Sequence, residues 1–163
     1  MKKFELTNEF ITNMFGTKLF RIRALVEFGD VEAGELGGYV EKESNLGHDD
    51  NAWVYDNARV YGDAQVSGNA LVCGDARVCG NGDYAYARGF GSVNRTTTFF
   101  RLKDGGVGVR CGCFYGTLAQ FRDKIRETHG ETKKAQEYLM LADLMELRFE
   151  EDENEVGNRK YVE

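Results

Sequence analysis

Val54-Tyr-Asp-Asn-Ala-Arg59, Val60-Tyr-Gly-Asp-Ala-Gln65, Val66-Ser-Gly-Asn-Ala-Leu71, Val72-Cys-Gly-Asp-Ala-Arg77 and Val78-Cys-Gly-Asn-Gly-Asp83 follow one another without a break. Valine returns every sixth residue, and Ala58, Ala64, Ala70 and Ala76 each follow a valine by four. A period of six fits neither the 3.6-residue turn of an α-helix nor a meander of longer strands. It fits a chain that makes a very short strand, turns, and makes another. The β-branched valine points inward from each strand. Gly-Asp or Gly-Asn supplies the backbone angles of the turn. Beside the turn the interior is crowded, so only a residue as small as alanine fits. These hexads predict a short parallel β-helix over residues 52–83.

The pattern resembles the hexapeptide-repeat family, an aliphatic residue followed four positions later by a small one. That resemblance implies a left-handed parallel β-helix with three hexads per triangular turn. Val40 with Ser44, and Leu46, read as degenerate earlier hexads, with a two-residue slip before Ala52. So few coils leave two open ends, and such an array needs caps or self-association.

Both caps are visible as patterns. Upstream, residues 18–28 alternate as a strand, and Gly34-Glu35-Leu36-Gly37-Gly38-Tyr39-Val40 leads into the first coil. Downstream, residues 96–102 and 107–113 read as two strands joined by the turn Lys103-Asp104-Gly105-Gly106. Thr117 and Gln120 form a capping-box signature, which opens a helix that stops at His129-Gly130. A second helix over residues 132–149 carries Ala135, Tyr138, Ala142, Met145 and Phe149 as an apolar stripe. The expected division is an N-terminal strand-rich cap at 1–39, the left-handed β-helix at 40–83, a hairpin plus two-helix module at 84–149, and an acidic disordered tail at 150–163. The fold class is mainly β with a C-terminal α+β module.

Two further blocks carry a second resemblance. Leu19-Phe20-Arg21-Ile22-Arg23-Ala24-Leu25, Val31-Glu32-Ala33-Gly34, Leu36-Gly37-Gly38-Tyr39-Val40-Glu41, Asn45-Leu46 and Asn51-Ala52-Trp53-Val54-Tyr55 form the first. Thr96-Thr97-Thr98-Phe99-Phe100, Cys111-Gly112-Cys113-Phe114, Gly116-Thr117-Leu118, Phe121 and Thr128-His129-Gly130 form the other. Together they resemble hexapeptide-repeat proteins of bacteriophages and prophages, and an acetyltransferase-like β-helix protein. The resemblance implies a phage or prophage origin and a site of action in the host bacterial cytoplasm. It brings no catalytic residues with it.

Charge narrows the function further. The 163 residues carry a net charge of −6, which argues against general nucleic-acid binding. The N-terminal residues lack the apolar run of a signal peptide, and no membrane segment is expected. Within this acidic chain, residues 83–116 hold five bases (Arg88, Arg95, Arg101, Lys103, Arg110) against Asp83 and Asp104. An anion would bind here if anywhere.

Four chemistries compete. Acyl transfer, which many hexapeptide proteins perform with coenzyme A, needs a histidine base on a projecting loop. Here the repeats are uninterrupted, and the two histidines, His48 and His129, lie at a ragged coil and a helix end. Metal binding would rest on Cys111 and Cys113, which lack two further ligands at metal spacing, so small buried thiols are the plainer reading and neither metal nor cofactor is expected. Anion or nucleotide binding would use Arg95, Thr96, Thr97, Thr98, Arg101, Arg110 and Thr117, beside Ser92 and Asn94, with Phe99, Phe100, Phe114 and Tyr115 to stack a base. The plain alternative is strand threonines, solvated arginines and core phenylalanines. Protein binding would use Trp53, Tyr55 and Tyr61 as exposed aromatics, in a homo-oligomer (a trimer by the family resemblance) or against a host protein. By three-hexad stacking Cys73 lies over Tyr55 and Cys79 over Tyr61. The expected function is that of a non-enzymatic phage accessory protein that blocks a host defence protein or captures a nucleotide signal.

Overall fold

A computed structural model describes residues 2–91 and 95–150. Ser92 and Asn94, and the acidic tail beyond Glu150, lie outside the described residues. The elements in chain order are β1 (Phe4–Thr12), β2 (Lys18–Ala24), β3 (Leu36–Val40), β4 (Trp53–Val54), β5 (Arg59–Val60), β6 (Leu71–Val72), β7 (Arg77–Val78), β8 (Tyr84–Phe90), β9 (Arg95–Arg101), β10 (Val107–Cys111), β11 (Phe114–Thr117), α1 (Leu118–His129) and α2 (Lys133–Phe149). The protein is mostly β, with two helices at the C-terminal end of the described chain.

The hexads stack in parallel with the expected period. Val54 pairs with Val72 and Val60 with Val78, each eighteen residues on. Val40 pairs with Val60 and Leu46 bridges Val66, each twenty residues on, so the two-residue slip is absorbed between the first and second coils. Two parallel ladders, β3–β5–β7 and β4–β6, and the isolated Leu46–Val66 bridge mark the three positions in the coil, and they remain separate rather than closing into a single sheet. All five valines are buried, as are the four alanines at the turns. Tyr55 donates its N–H to Val72 and Tyr61 to Val78, so Cys73 does lie over Tyr55 and Cys79 over Tyr61. Asn45 is fully buried where the upstream hexads begin, and its side-chain amide donates to the carbonyls of Gly62 and Ala64 across coils.

The N-terminal cap is an antiparallel hairpin, β1–β2, whose second strand pairs with β3. The ladder β3–β5–β7 therefore continues into a mixed five-stranded sheet. The reading of residues 18–28 as one strand ran too far, since β2 ends at Ala24 and Phe28 closes a tight turn with Val31. Trp53 is the larger correction. It was expected on an exposed interface, but it is fully buried under this cap, edge-on to Phe4 and Phe28. The inward side of β4 is closed by the coil, and the hairpin closes the other side, so both faces of this short strand are covered.

The C-terminal module contains a four-stranded antiparallel sheet in the order β11–β10–β9–β8, not a lone hairpin. The strand expected at 107–113 stops at Cys111; Gly112 and Cys113 turn the chain back into β11. The Lys103–Gly106 turn forms as expected, with Leu102 donating to the Gly106 carbonyl. The capping box at Thr117 and Gln120 is closed in both directions. The five residues expected on the stripe of α2 are its buried residues.

This sheet lies between two apolar layers. Phe100 joins the solenoid core, while Phe99 joins the core formed with the helices. Thr98 accepts from the Leu71 N–H of β6, while Thr97 donates to Cys111 on the helix side. The docking is close. The Tyr86 and Tyr115 phenol oxygens sit where a Cβ would stand on Gly68 and Gly74, which also have φ of +65° and +64°. The hexad glycines thus serve the turn and admit the sheet.

Candidate functional site

Strand parity divides the expected anion site. Across β8 and β9, Arg88 is opposite Thr96, and across β9 and β10, Thr98 is opposite Arg110. These four share the sheet face that meets the solenoid. Thr97 and Arg101 are an odd number of residues from Thr98 and face the helices. Arg101 was expected near Arg110; instead it is buried in an ion pair with Asp83, 3.1 Å away, and donates to the Phe149 carbonyl. Thr97 and Thr98 are buried as interlayer hydrogen-bonding groups, and Thr117 is spent as a helix cap. Thr97, Thr98 and Arg101 are buried away from the surface, and Thr117 is exposed but lies outside the cleft described below.

Arg95, Thr96 and Arg110 do come together, around a cleft of about 270 Å³ between the solenoid and the sheet. Arg88 joins them, and Tyr55, Asn69 and Asp30 contribute from the solenoid side. Arg110 is held on three sides. Its Nε donates to the Gly112 carbonyl at 2.7 Å, its guanidinium lies over the Tyr55 ring at 5.1 Å, and its charge acts on the Cys73 thiol, opposing the effect of burial there. Arg95 packs against Gly112, where a Cβ would crowd its Nη1. Arg21, Arg23, Arg101 and Arg122 each pair with a carboxylate. Among the described residues, Arg88, Arg95 and Arg110 pair with none. Three guanidiniums that form no ion pair among the described residues, against the single carboxylate of Asp30 in the same lining, make the cleft net positive, and their planar forks suit phosphate oxygens.

A second cavity, of about 420 Å³, lies between this sheet and α1. It shares Arg95 with the cleft and is otherwise walled by Phe114, Phe121 and Tyr138, with Lys124 and His129 from α1. Cys111 is buried in its lining while Cys113, beyond the turn, is exposed. Among the described residues no group of His, Cys, Asp and Glu could hold a metal ion.

Tyr55, proposed for an interface, is half-buried under Arg110. Burial raises its phenol pKa and the Arg110 charge opposes the shift. Tyr61 is half-buried in a separate cavity beside Phe15 and Glu41. His48, the coil histidine, is tied on both ring nitrogens: Nδ1 accepts the Lys3 N–H and Nε2 lies 2.9 Å from Glu43. It belongs to the cap.

Arg88 and Asp30 were missed as site residues. Arg88 was countable as part of the basic segment, and Tyr84, Tyr86 and Arg88 alternate with Ala85 and Ala87 as a strand would. Asp30, in a turn far along the chain, gave no such signal.

The buried thiol under Arg110 gives a pH prediction. Burial pushes Cys73 from 9.0 up to about 11, against the pull of Arg110. Burial likewise raises Tyr138 from 10.0 to about 12. Both bind their proton more tightly when folded. Their contribution is complete below the unfolded pKa and is lost as pH rises through about 11 and about 12 respectively. Lys3 acts in the opposite sense: burial lowers it from 10.5 to about 8, so stability rises with pH between those values. The two trends overlap, so the informative quantity is a difference. Between pH 8 and 10.5, Cys73→Ala should lose about 2 kcal/mol less than the parent chain in urea unfolding. Equal changes in both proteins would remove Cys73 from the alkaline transition.

No helix among the described residues is long and apolar enough to cross a membrane. A comparison with curated proteins finds no match to the chain. A family model described as "YdcK Beta solenoid repeat" matches residues 64–80, the stretch that supplies β6, β7 and the cleft residues Asn69 and Leu71. The chain is similar to that family there and carries β-solenoid repeats.

Proposed function

We propose that the protein is a non-enzymatic binding protein whose β-solenoid presents a small anionic ligand site, with phosphate or a nucleotide as the ligand class. The observation that carries this reading is the convergence of Arg88, Arg95 and Arg110, unpaired among the described residues, on one cleft in a chain of net charge −6. An acidic chain gains nothing in solubility from clustering bare arginines, whereas a bound anion offsets their mutual repulsion. Arg110 is also preorganised by Tyr55 and Gly112, which lowers the entropy cost of binding.

The reading extends to a left-handed coil, a trimeric assembly, and a phage or prophage protein that captures a host nucleotide signal or blocks a host defence protein. The six-residue period and its resemblance to hexapeptide proteins support the handedness and the assembly. Sedimentation of the purified chain tests the trimer directly.

Isothermal titration with inorganic pyrophosphate tests the site. Binding should weaken at least tenfold in each of Arg88→Ala and Arg110→Ala. It should also fall steeply as salt is raised from about 50 to 200 mM, because the Debye length shrinks from about 14 to about 7 Å over that range. No detectable pyrophosphate binding at low salt, or binding indifferent to both substitutions, would remove this site.

A further inference from the structure

We infer that the anion held in the arginine cleft is the phosphate of a phosphorylated sugar, whose hydroxyls are read by Asp30, Asn51 and Asn69. This rests on the anion reading of the cleft and specifies its ligand. The two walls differ in chemistry. Arg88, Arg95 and Arg110 stand on strands β8, β9 and β10, whereas Asp30, Asn51 and Asn69 stand on turns of the cap and the coils. Asp30 is the informative residue. Its carboxylate repels any anion in the cleft, and it forms no ion pair with the arginines among the described residues. A bare anion would bind better without it. A ligand that carries hydroxyls beside its phosphate gives that carboxylate, an acceptor on both oxygens, something to bind.

Tight turns hold the polar wall in place. Phe28 and Val31 exchange backbone hydrogen bonds of 3.0 and 2.8 Å, so Gly29-Asp30 is a two-residue turn, and the Phe28 ring anchors it edge-on to Trp53. Gly29 packs against Asn51, whose side chain would lie 3.4 Å from a Cβ there. Asn51 and Asn69 are eighteen residues apart, at the same position in successive coils, just ahead of the paired Trp53 and Leu71. Each amide offers a hydroxyl both a donor and an acceptor. A nucleobase finds little here. Among the described lining residues Leu71 is the one aliphatic side chain, and the Tyr55 ring is covered by the Arg110 guanidinium. Sites for drug-sized ligands are mostly apolar and span about 300–1,000 Å³. This one is mostly polar and, at about 270 Å³, suits one sugar ring and its phosphate.

Isothermal titration of the full chain with ribose 5-phosphate and ethyl phosphate separates the two walls, because both ligands are phosphate monoesters and only one carries hydroxyls. Ribose 5-phosphate should bind at least tenfold more tightly. Asp30→Ala, at an exposed turn position, should weaken ribose 5-phosphate at least fivefold yet leave ethyl phosphate bound as tightly or more so. Asn69→Ala should also weaken the sugar phosphate alone, and it provides the test if Asp30→Ala lowers the melting temperature. Arg110→Ala should weaken both ligands together. Adenosine 5′-monophosphate should bind within about threefold of ribose 5-phosphate. Equal affinities for ribose 5-phosphate and ethyl phosphate would overturn the hydroxyl-reading wall and leave the anion site standing. So would a sugar advantage that survives both Asp30→Ala and Asn69→Ala, or a tenfold gain from the adenine base. Binding of neither monoester would overturn the anion site and the sugar assignment together.

Discussion

Asp83→Ala should cost about 3–5 kcal/mol of unfolding free energy, because it leaves the Arg101 guanidinium buried beside an uncharged methyl group. Both side chains are only 4% exposed. Arg101 donates to Asp83 in the segment that ends the last coil, to the Phe149 carbonyl at the end of α2, and to the Gly105 carbonyl in the hairpin turn. Asp83 in turn accepts the Cys79 N–H at 3.0 Å and the Cys79 thiol. One ion pair therefore ties the solenoid, the sheet and the second helix together. Asp83→Asn keeps an acceptor for Cys79 but loses the charge, and should fall between the parent and Asp83→Ala. Asp83→Asn combined with Arg101→Met removes both charges and should recover much of the loss, since a buried pair is weak net stabilisation but a broken one is strongly unfavourable. Urea unfolding with an unchanged slope checks the series. A loss below about 1 kcal/mol for Asp83→Ala would mean that water reaches Arg101.

The solenoid was legible in the sequence because its period is written twice, in Val54 to Val78 and again in Ala58 to Ala76. Each copy reports a different physical constraint, an inward strand position and a crowded turn. The four-stranded sheet was harder to read for a specific reason. It is covered on both faces, so β9 shows no alternation of polar and apolar residues: Thr97, Thr98, Phe99 and Phe100 are all buried. Without alternation, the residues Thr96, Arg101 and Arg110 could be assigned to a basic segment but not to a face. Arg101 was therefore grouped with Arg110 although a sheet separates them. The last strand was hidden because Gly112 and Cys113 look like a continuation of β10, and only the turn back through Phe114 to Thr117 divides them. Asn69 reaches the cleft through the coil's stacking, which the repeat specifies only in outline, while Asp30 comes from the cap turn between β2 and β3 and Asn51 from the turn before β4.

Trp53→Ala should be comparably damaging, at about 3–5 kcal/mol, because it opens a cavity where the cap meets the first coils. The ring is fully buried between Phe4 and Phe28, and a Cβ at Gly37 would overlap it, so backbone and side chains enclose it closely. Its Nε1 is buried without a hydrogen-bond partner, which by itself opposes stability by about 1–3 kcal/mol. Trp53→Phe removes that unpaired N–H along with one ring. It should therefore cost clearly less than the difference in volume alone implies, and less than half the loss of Trp53→Ala. Trp53 is the protein's single tryptophan, so its emission can be followed in the parent chain. A blue-shifted peak shielded from acrylamide should persist until the cap unfolds. Quenching in the native protein comparable to that of a free indole would place Trp53 at the surface, and the hairpin would then not be the seal on this end of the solenoid.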